Sequence, residues 1–337
     1  MATIHDVAAS AKVSTATVSR VLSNPEIVAE ATRIKVLEAI ERLQYIPNAA
    51  AKTLRTSATR KLLVTVPDIA NPFFSLIIQG IEESAQREGY AVLLGDTHHD
   101  ADVEDRYGLM LQRHEADGLI FLGHRLPRTV KAWIDGQEGL APVVNGCEYT
   151  PTVGVPSAHI DNARAASEMM DHLYGLGHRR IGIVTGPLAS PLSRDRLRGA
   201  KACARREGCA RQLSVATGDF SIESGIACAA RLLAEPQQPT AIFCFNDEMA
   251  IGALEYLRRH EIRVPESVSV AGFDDIRFAR FCSPPLTTIS QPMLEIGRET
   301  VRLLLGVLHA SIEKPVSVTL PHKLEVRLST GIVPRRP

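Results

Sequence analysis

The sequence predicts a small all-α headpiece followed by an α/β core of two doubly wound parallel-sheet lobes. Three observations lead there. Apolar residues recur at helical spacing through residues 1–46, the texture changes after Arg60 to apolar runs alternating with helices, and that alternation occurs in two series of similar size. Length agrees, because 337 residues exceed one ordinary core and favour two or three domains. The expected boundaries are 1–46, 47–60 and 61–337.

In the first region Ile4, Val7, Ala8 and Ala11 share one helical face, Val18, Val21 and Leu22 a second, and Val36, Leu37, Ile40 and Leu43 a third. Together they can close a miniature core. Lys12-Val13-Ser14 separates the first two helices, and Ser14 or Thr15 can cap the second. From Asn48 to Thr59 the residues favour a helix, yet Leu54 is the one large apolar side chain there, too little to hold a helix alone in water. This stretch reads as a linker that orders against a partner.

Beyond it, strands are expected at Leu62–Val66, Ala91–Leu94, Leu119–Leu122 and Val143–Asn145, with a helix over Phe74–Glu88. The rhythm returns at Ile181–Thr185, Ala241–Phe245 and Val268–Gly272. Strand and helix in alternation imply parallel sheets wrapped by helices, with a ligand cleft at the carboxyl ends of the strands.

Composition narrows the function class. Hydrophobic residues make up 45% and charged residues 23%, the balance of a folded globular chain. Lys plus Arg equals Asp plus Glu, 38 against 38, but residues 1–60 hold eight basic and five acidic side chains, leaving 30 against 33 in the rest. A mildly basic head on a mildly acidic body fits a DNA-contacting module on a larger domain. The six cysteines form no CxxC pair and have no His at metal-ligand spacing, so they read as reduced thiols, and neither a metal nor a cofactor is expected. His98-His99-Asp100 reads as a solvated loop. No signal-like start and no membrane-length apolar run is present, so a cytoplasmic protein is expected.

In a helix-turn-helix the second helix meets base edges with its N-terminal residues. Here that end is Ser14-Thr15-Ala16-Thr17-Val18-Ser19-Arg20. Hydroxyls can bond bases or phosphates, Ala can meet a thymine methyl, and Arg can reach guanine or phosphate. A capped, hydroxyl-rich surface helix would read the same on spacing alone.

Longer motifs decide between the two. Thr3-Ile4-His5-Asp6-Val7-Ala8, the run from Val13 to Leu22 and Tyr45-Ile46-Pro47-Asn48-Ala49-Ala50-Ala51 resemble the N-terminal signature of the lactose/galactose repressor family. The resemblance continues through Pro67 to Phe74, Asp117-Gly118-Leu119-Ile120, Gly177 to Gly182, Asn246 to Ala250, Gly272-Phe273-Asp274-Asp275 and Pro285 to Ile289. It implies a DNA-binding headpiece, a hinge helix and a periplasmic-binding-protein-like core, assembled as a homodimer or a tetramer on operator DNA. The DNA contacts it implies are Thr3, Ser14, Thr15, Ala16, Thr17, Ser19, Arg20, Tyr45, Asn48, Ala51, Leu54 and Arg55. Leu54 stands where the family places the leucine that pries apart the central base step, its cost offset by the wider contact of bent DNA. Ala29 stands where relatives often carry a capping Ser, so the third helix is expected to fray at its start.

For the effector, the resemblance makes Arg196 the arginine of the second lobe that binds hydroxyl or ring acceptors. Asp274 and Asn246 end strands, where a carboxylate can take two hydroxyls and an amide both donates and accepts. Asp247 reads equally as helix cap or ligand. Phe73 and Phe220 are candidates for stacking on a base or sugar face, and Asp68 and Gln291 complete the set. Gly123 to Pro127, His159 to Asn162, Phe281 to Pro285 and Glu295 to Glu299 resemble in particular the family's cytidine-responsive repressors. A nucleoside such as cytidine is therefore the expected effector, with a sugar or sugar acid as alternative. An enzyme is disfavoured by the lack of a GxSxG elbow, P-loop or dinucleotide fingerprint. A transport-type binding protein is disfavoured by the helix-turn-helix at the N-terminus.

Overall fold

A computed structural model describes residues 2–46, 58–136, 139–149 and 154–333. The expected hinge contacts Asn48, Ala51, Leu54 and Arg55 lie outside these residues. The chain divides into two compact units, Met1–Thr59 and Arg60–Pro337.

The first unit holds α1 (Ile4–Ala11), α2 (Thr15–Ser23) and α3 (Glu30–Leu43). Thr3 and Asp6 form a reciprocal capping box on α1, and Ser14 caps α2 by accepting the Thr17 N–H at 3.1 Å. Ala29 precedes α3 with no side-chain cap bond. Val7, Ala8, Ala11, Val18, Val21, Val36 and Ala39 are the buried core. Leu22 and Leu37, expected inside, are 38% and 49% exposed. Each lies one residue past a buried Val, a rotation of about 100° on the helix that carries it off the core face.

The second unit contains two sheets. In lobe 1, β1 (Lys61–Val66), β2 (Ala91–Asp96), β3 (Gly118–Phe121), β4 (Val143–Gly146), β5 (Ser157–Ile160) and β11 (Ser317–Leu320) pair in parallel in the order β11-β5-β4-β3-β1-β2. Alternation along β1 feeds both faces. Leu62, Val64 and Val66 join the core under α4 (Pro72–Arg87) and α11 (Met293–Leu308), while Leu63 joins the core under α5 (Ala101–Gln112) and α6 (Arg128–Asp135). Each fully buried Leu or Phe of these layers contributes about 2 kcal/mol of transfer free energy.

Lobe 2 repeats the plan with β6 (Ile181–Thr185), β7 (Leu213–Thr217), β8 (Ala241–Cys244), β9 (Ser269–Asp274), β10 (Thr287–Ser290) and β12 (Lys323–Glu325), ordered β12-β10-β9-β8-β6-β7. All its pairs are parallel except β12 with β10. Its helices are α7 (Asn162–Gly175), α8 (Pro191–Arg206), α9 (Ile222–Leu233) and α10 (Asp247–Arg259). The chain passes between lobes after β5, after β10 and between β11 and β12.

The expected strands form, with shifted limits: β9 runs on through Asp274, and β3 starts at Gly118 and stops before Leu122. The helix expected over Phe74–Glu88 begins two residues earlier, at Pro72, where Asn71 caps it. Strands β5, β7, β10, β11 and β12 were not expected; in β5 and β10, His159, Thr287 and Thr288 make the sequence read as polar. Inside the fold these groups are buried with partners, His159 on Ser317 at 2.9 Å and Thr288 on Asp247 at 2.6 Å. Among the described residues no helix is long and apolar enough to cross a membrane.

Candidate functional site

A cavity of about 480 Å³ lies within the second unit. Its walls leave the carboxyl ends of strands in both sheets. Asp68 and Phe73 follow β1, His99 follows β2, His124 follows β3 and Glu148 follows β4; from lobe 2, Ser190 and Arg196 follow β6, Phe220 follows β7, Asn246 follows β8 and Asp274 ends β9. Strand order reverses at β1/β3 and again at β6/β8, so neighbouring loops diverge and leave a crevice on each sheet.

Arg196 is 3% exposed and fixed on several sides. Its Nε donates to Asn162 at 2.8 Å, its Nη1 donates to the Phe245 carbonyl, and its guanidinium lies 3.6 Å from the centre of the Phe273 ring. Nη2 stands 3.8 Å from the Asp274 carboxylate, an attraction at a length that is not a hydrogen bond. Both groups therefore keep bonding capacity for a ligand.

Asp274 has φ 114°, a strained backbone of the kind that gathers at ligand sites, and accepts from Gln291 Nε2 at 2.7 Å. Burial pushes its carboxyl up to about 7, against the pull of Arg196 and Gln291. Gln291 itself is not among the lining residues; it stands behind Asp274 and orients it. Asn246, expected as a ligand, lines the cavity, but its amide is already engaged. Oδ1 caps α10 through the Met249 N–H at 2.9 Å and Nδ2 holds the Phe220 carbonyl at 2.8 Å. Asp247 neither caps nor lines: it is fully buried, accepting the Thr288 hydroxyl and, at 2.8 Å, the Ile276 N–H.

Phe220, at φ 74°, lays its ring over Gly186, where a Cβ would fall 2.0 Å from the ring edge. From lobe 1, Phe73 enters in the first turn of α4 and meets Phe74 edge-on, with ring centres 5.2 Å apart. The Asp68 carboxylate accepts the Ala70 N–H at 2.8 Å.

Sequence reasoning passed over Glu148, Glu248, His124 and Ser190. Glu148 is 7% exposed, and burial raises its carboxyl to about 8 despite Arg196, Ser190 and Arg194. Glu248 is raised to about 7 by burial and by the nearby charges of Asp68 and Glu223. Burial and Arg125 lower the His124 imidazole. The one available signal was position, since each follows a strand. Carboxyl groups of Asp68, Glu148, Asp219, Glu223, Glu248 and Asp274 line the cavity beside the single guanidinium of Arg196. Such a site opposes an anion and suits a neutral ligand rich in O–H and N–H donors.

In the first unit, Ala16, Ser19 and Arg20 fall on the face of α2 away from the buried Val18 and Val21, whereas Thr15, one turn before Val18, lies at the edge of the buried side. Ser14 and Thr17 bond each other at 2.9 Å while forming the cap. Thr3 donates its hydroxyl to Asp6 at 2.8 Å, and Tyr45 packs half-buried on the helical core.

Comparison with known proteins follows this division. Residues 3–48 match the family model of bacterial regulatory proteins, lacI family, and residues 170–330 match a periplasmic binding protein-like domain. The HTH-type transcriptional repressor CytR of Escherichia coli K12 is 43% identical over 99% of this chain and 97% of its own. Catabolite control protein A of Priestia megaterium is 35% identical over 97% and 99%. The lac repressor dimer bound to operator and the anti-inducer ONPF superposes with TM-score 0.88 at 29% identity, over 98% of this chain and 99% of that one.

Proposed function

The chain belongs to the lacI family of bacterial regulatory proteins, and from that premise we propose how it reads DNA and what it senses. It is a sequence-specific DNA-binding transcriptional repressor whose operator affinity a small molecule modulates. The headpiece, 1–46, lays α2 in the major groove, with Thr15, Ala16, Ser19 and Arg20 toward base edges and Thr3, Ser14, Thr17 and Tyr45 toward the backbone. Asn48, Ala51, Leu54 and Arg55 of the 47–60 hinge meet the minor groove, where Leu54 is the wedge. The protein works in the cytoplasm as a homodimer and catalyses no reaction; turnover of added nucleoside by pure protein would overturn that part.

The effector is a nucleoside, cytidine or a close relative, held in the core, 61–337. One observation carries this reading: the cavity combines aromatic walls, Phe73 and Phe220, with a facing guanidinium and carboxyl, Arg196 and Asp274, among further acids. A ribosyl base offers vicinal hydroxyls to the charged pair and a flat face to the rings. A sugar acid would bring its charge against the carboxyl groups, and a free sugar would leave much of the aromatic wall uncovered. Asn246 shapes the wall through Phe220, and Asp68 and Gln291 act at the rim and behind Asp274. Calorimetry with cytidine, adenosine, ribose and gluconate tests the assignment. Binding by a nucleoside alone is the expected result; binding confined to ribose or gluconate would overturn it.

A further inference from the structure

Resting on the nucleoside reading, we propose that Glu148 is a ligand-contacting residue that reads the hydrogen-bonding edge of the base, taking one donor and one acceptor side by side. Its placement singles it out. Glu148 comes from lobe 1, after β4, while Arg196, Asp274 and Phe220 come from lobe 2. It is buried much as Arg196 and Asp274 are, at 7% exposure against 3% and 6%, but far less satisfied. The donor its two oxygens find among the described residues is the Ser190 hydroxyl, at 3.3 and 3.4 Å, long for an O–H···O bond. A buried carboxyl with spare capacity, on the wall of a cavity, is costly unless a ligand completes it.

The protonation state fits the task. The charged and titratable groups facing Glu148 are Arg194 and Arg196 on α8, Cys147 beside it and Asp274 across the cavity. Burial outweighs the two arginines and keeps the carboxyl largely neutral near pH 7. A neutral carboxyl presents one O–H donor and one carbonyl acceptor in a plane. The 4-aminopyrimidine edge of cytosine, a ring nitrogen acceptor beside an amino donor, is its complement. Ribose hydroxyls are matched instead by Arg196 and Asp274. Because Ser190 belongs to lobe 2, a base bound at Glu148 replaces a weak contact between lobes with one through the ligand, which biases their arrangement.

The test is calorimetry on the full chain with cytidine and 3-deazacytidine, which lacks the ring acceptor, for wild type, Glu148→Gln and Glu148→Ala. Wild type should bind cytidine at least tenfold more tightly than the analogue. Glu148→Gln, whose amide also offers donor and acceptor, should keep that preference, and Glu148→Ala should lose it. Asp274, Glu248 and His124 also titrate in the cavity, so the pH profile is read as a difference. Wild-type affinity for cytidine should fall as pH rises through about 8, and the Glu148→Gln profile should lack that fall. Undiminished preference in Glu148→Ala, or identical pH profiles, would overturn the inference while leaving the nucleoside reading intact. Failure of wild type to bind either nucleoside would overturn both.

Discussion

The two lobes bring different kinds of wall to one cavity. Lobe 2 supplies groups already locked: Arg196 is held by Asn162, Phe245 and Phe273, Asp274 by Gln291, and Phe220 by Asn246 and the bare Gly186. Lobe 1 supplies Phe73 from its core and the acids Asp68 and Glu148, whose carboxyls have a backbone N–H and one long-bonded hydroxyl, respectively, for support. On the proposed reading, lobe 2 is the preorganised half, which sets ligand affinity, and lobe 1 the half whose position the ligand changes. A ligand alters operator affinity only through its unequal preference for two lobe arrangements, so the loosely tied wall is where that preference can arise.

The comparison is broken or sharpened first at Arg196. Arg196→Ala removes a charged donor and strands Asp274 and the Asn162 amide, so nucleoside affinity should fall about 100-fold, as for lost hydrogen bonds to charged groups. Calorimetry measures it, and a loss below threefold would show that lobe 2 does not dominate. Next is Gly186→Ala, where the new Cβ collides with Phe220. The ring must swing into the cavity, and binding should weaken about tenfold with little change in thermal stability if the displacement stays local. Smaller still is Phe73→Leu in lobe 1, expected to cost about fivefold from lost aromatic contact. A Phe73 effect equal to that of Arg196 would erase the distinction between the lobes.

A separate effect, on stability, concerns both lobes. Glu148, Glu248 and Asp274 are raised in the fold to about 8, 7 and 7. In the unfolded chain they titrate near 4, so from about pH 4 to 8 the native state binds more protons. Stability should therefore decline as pH rises through that window and level off above it. Urea denaturation from pH 5 to 9 checks this, and the upper part of the decline should be absent from Glu148→Gln. A rise over the same range would mean these carboxyls are not held neutral.

What the sequence disclosed and what it hid have physical causes. Strands β1 and β6 read plainly because burial on both faces demands near-continuous apolar runs. Strands β5 and β10 did not, because the partners that satisfy His159 and Thr288, Ser317 and Asp247, are distant in the chain. Asp274 stood within a motif and Arg196 was singled out by the family resemblance, and both line the cavity. Glu148 was hidden because nothing local announces that an acid will be buried. Local reasoning left Asp247 undecided between cap and ligand and took Asn246 as a ligand. The fold settles both by claiming Asp247 for Thr288 and Ile276 beneath β9 and β10, which leaves Asn246 to cap α10. Leu22 and Leu37 show the reverse error, apolar residues taken as core although a one-residue rotation exposes them.

The most direct measurement is an operator titration with purified full-length protein at fixed salt, with and without saturating cytidine, repeated with ribose and gluconate. Cytidine should shift the apparent Kd at least fivefold, within the usual span of coupling between sites, while ribose and gluconate leave the curve in place. Superimposable curves with and without cytidine, together with a shift by ribose or gluconate, would contradict a nucleoside-sensing repressor.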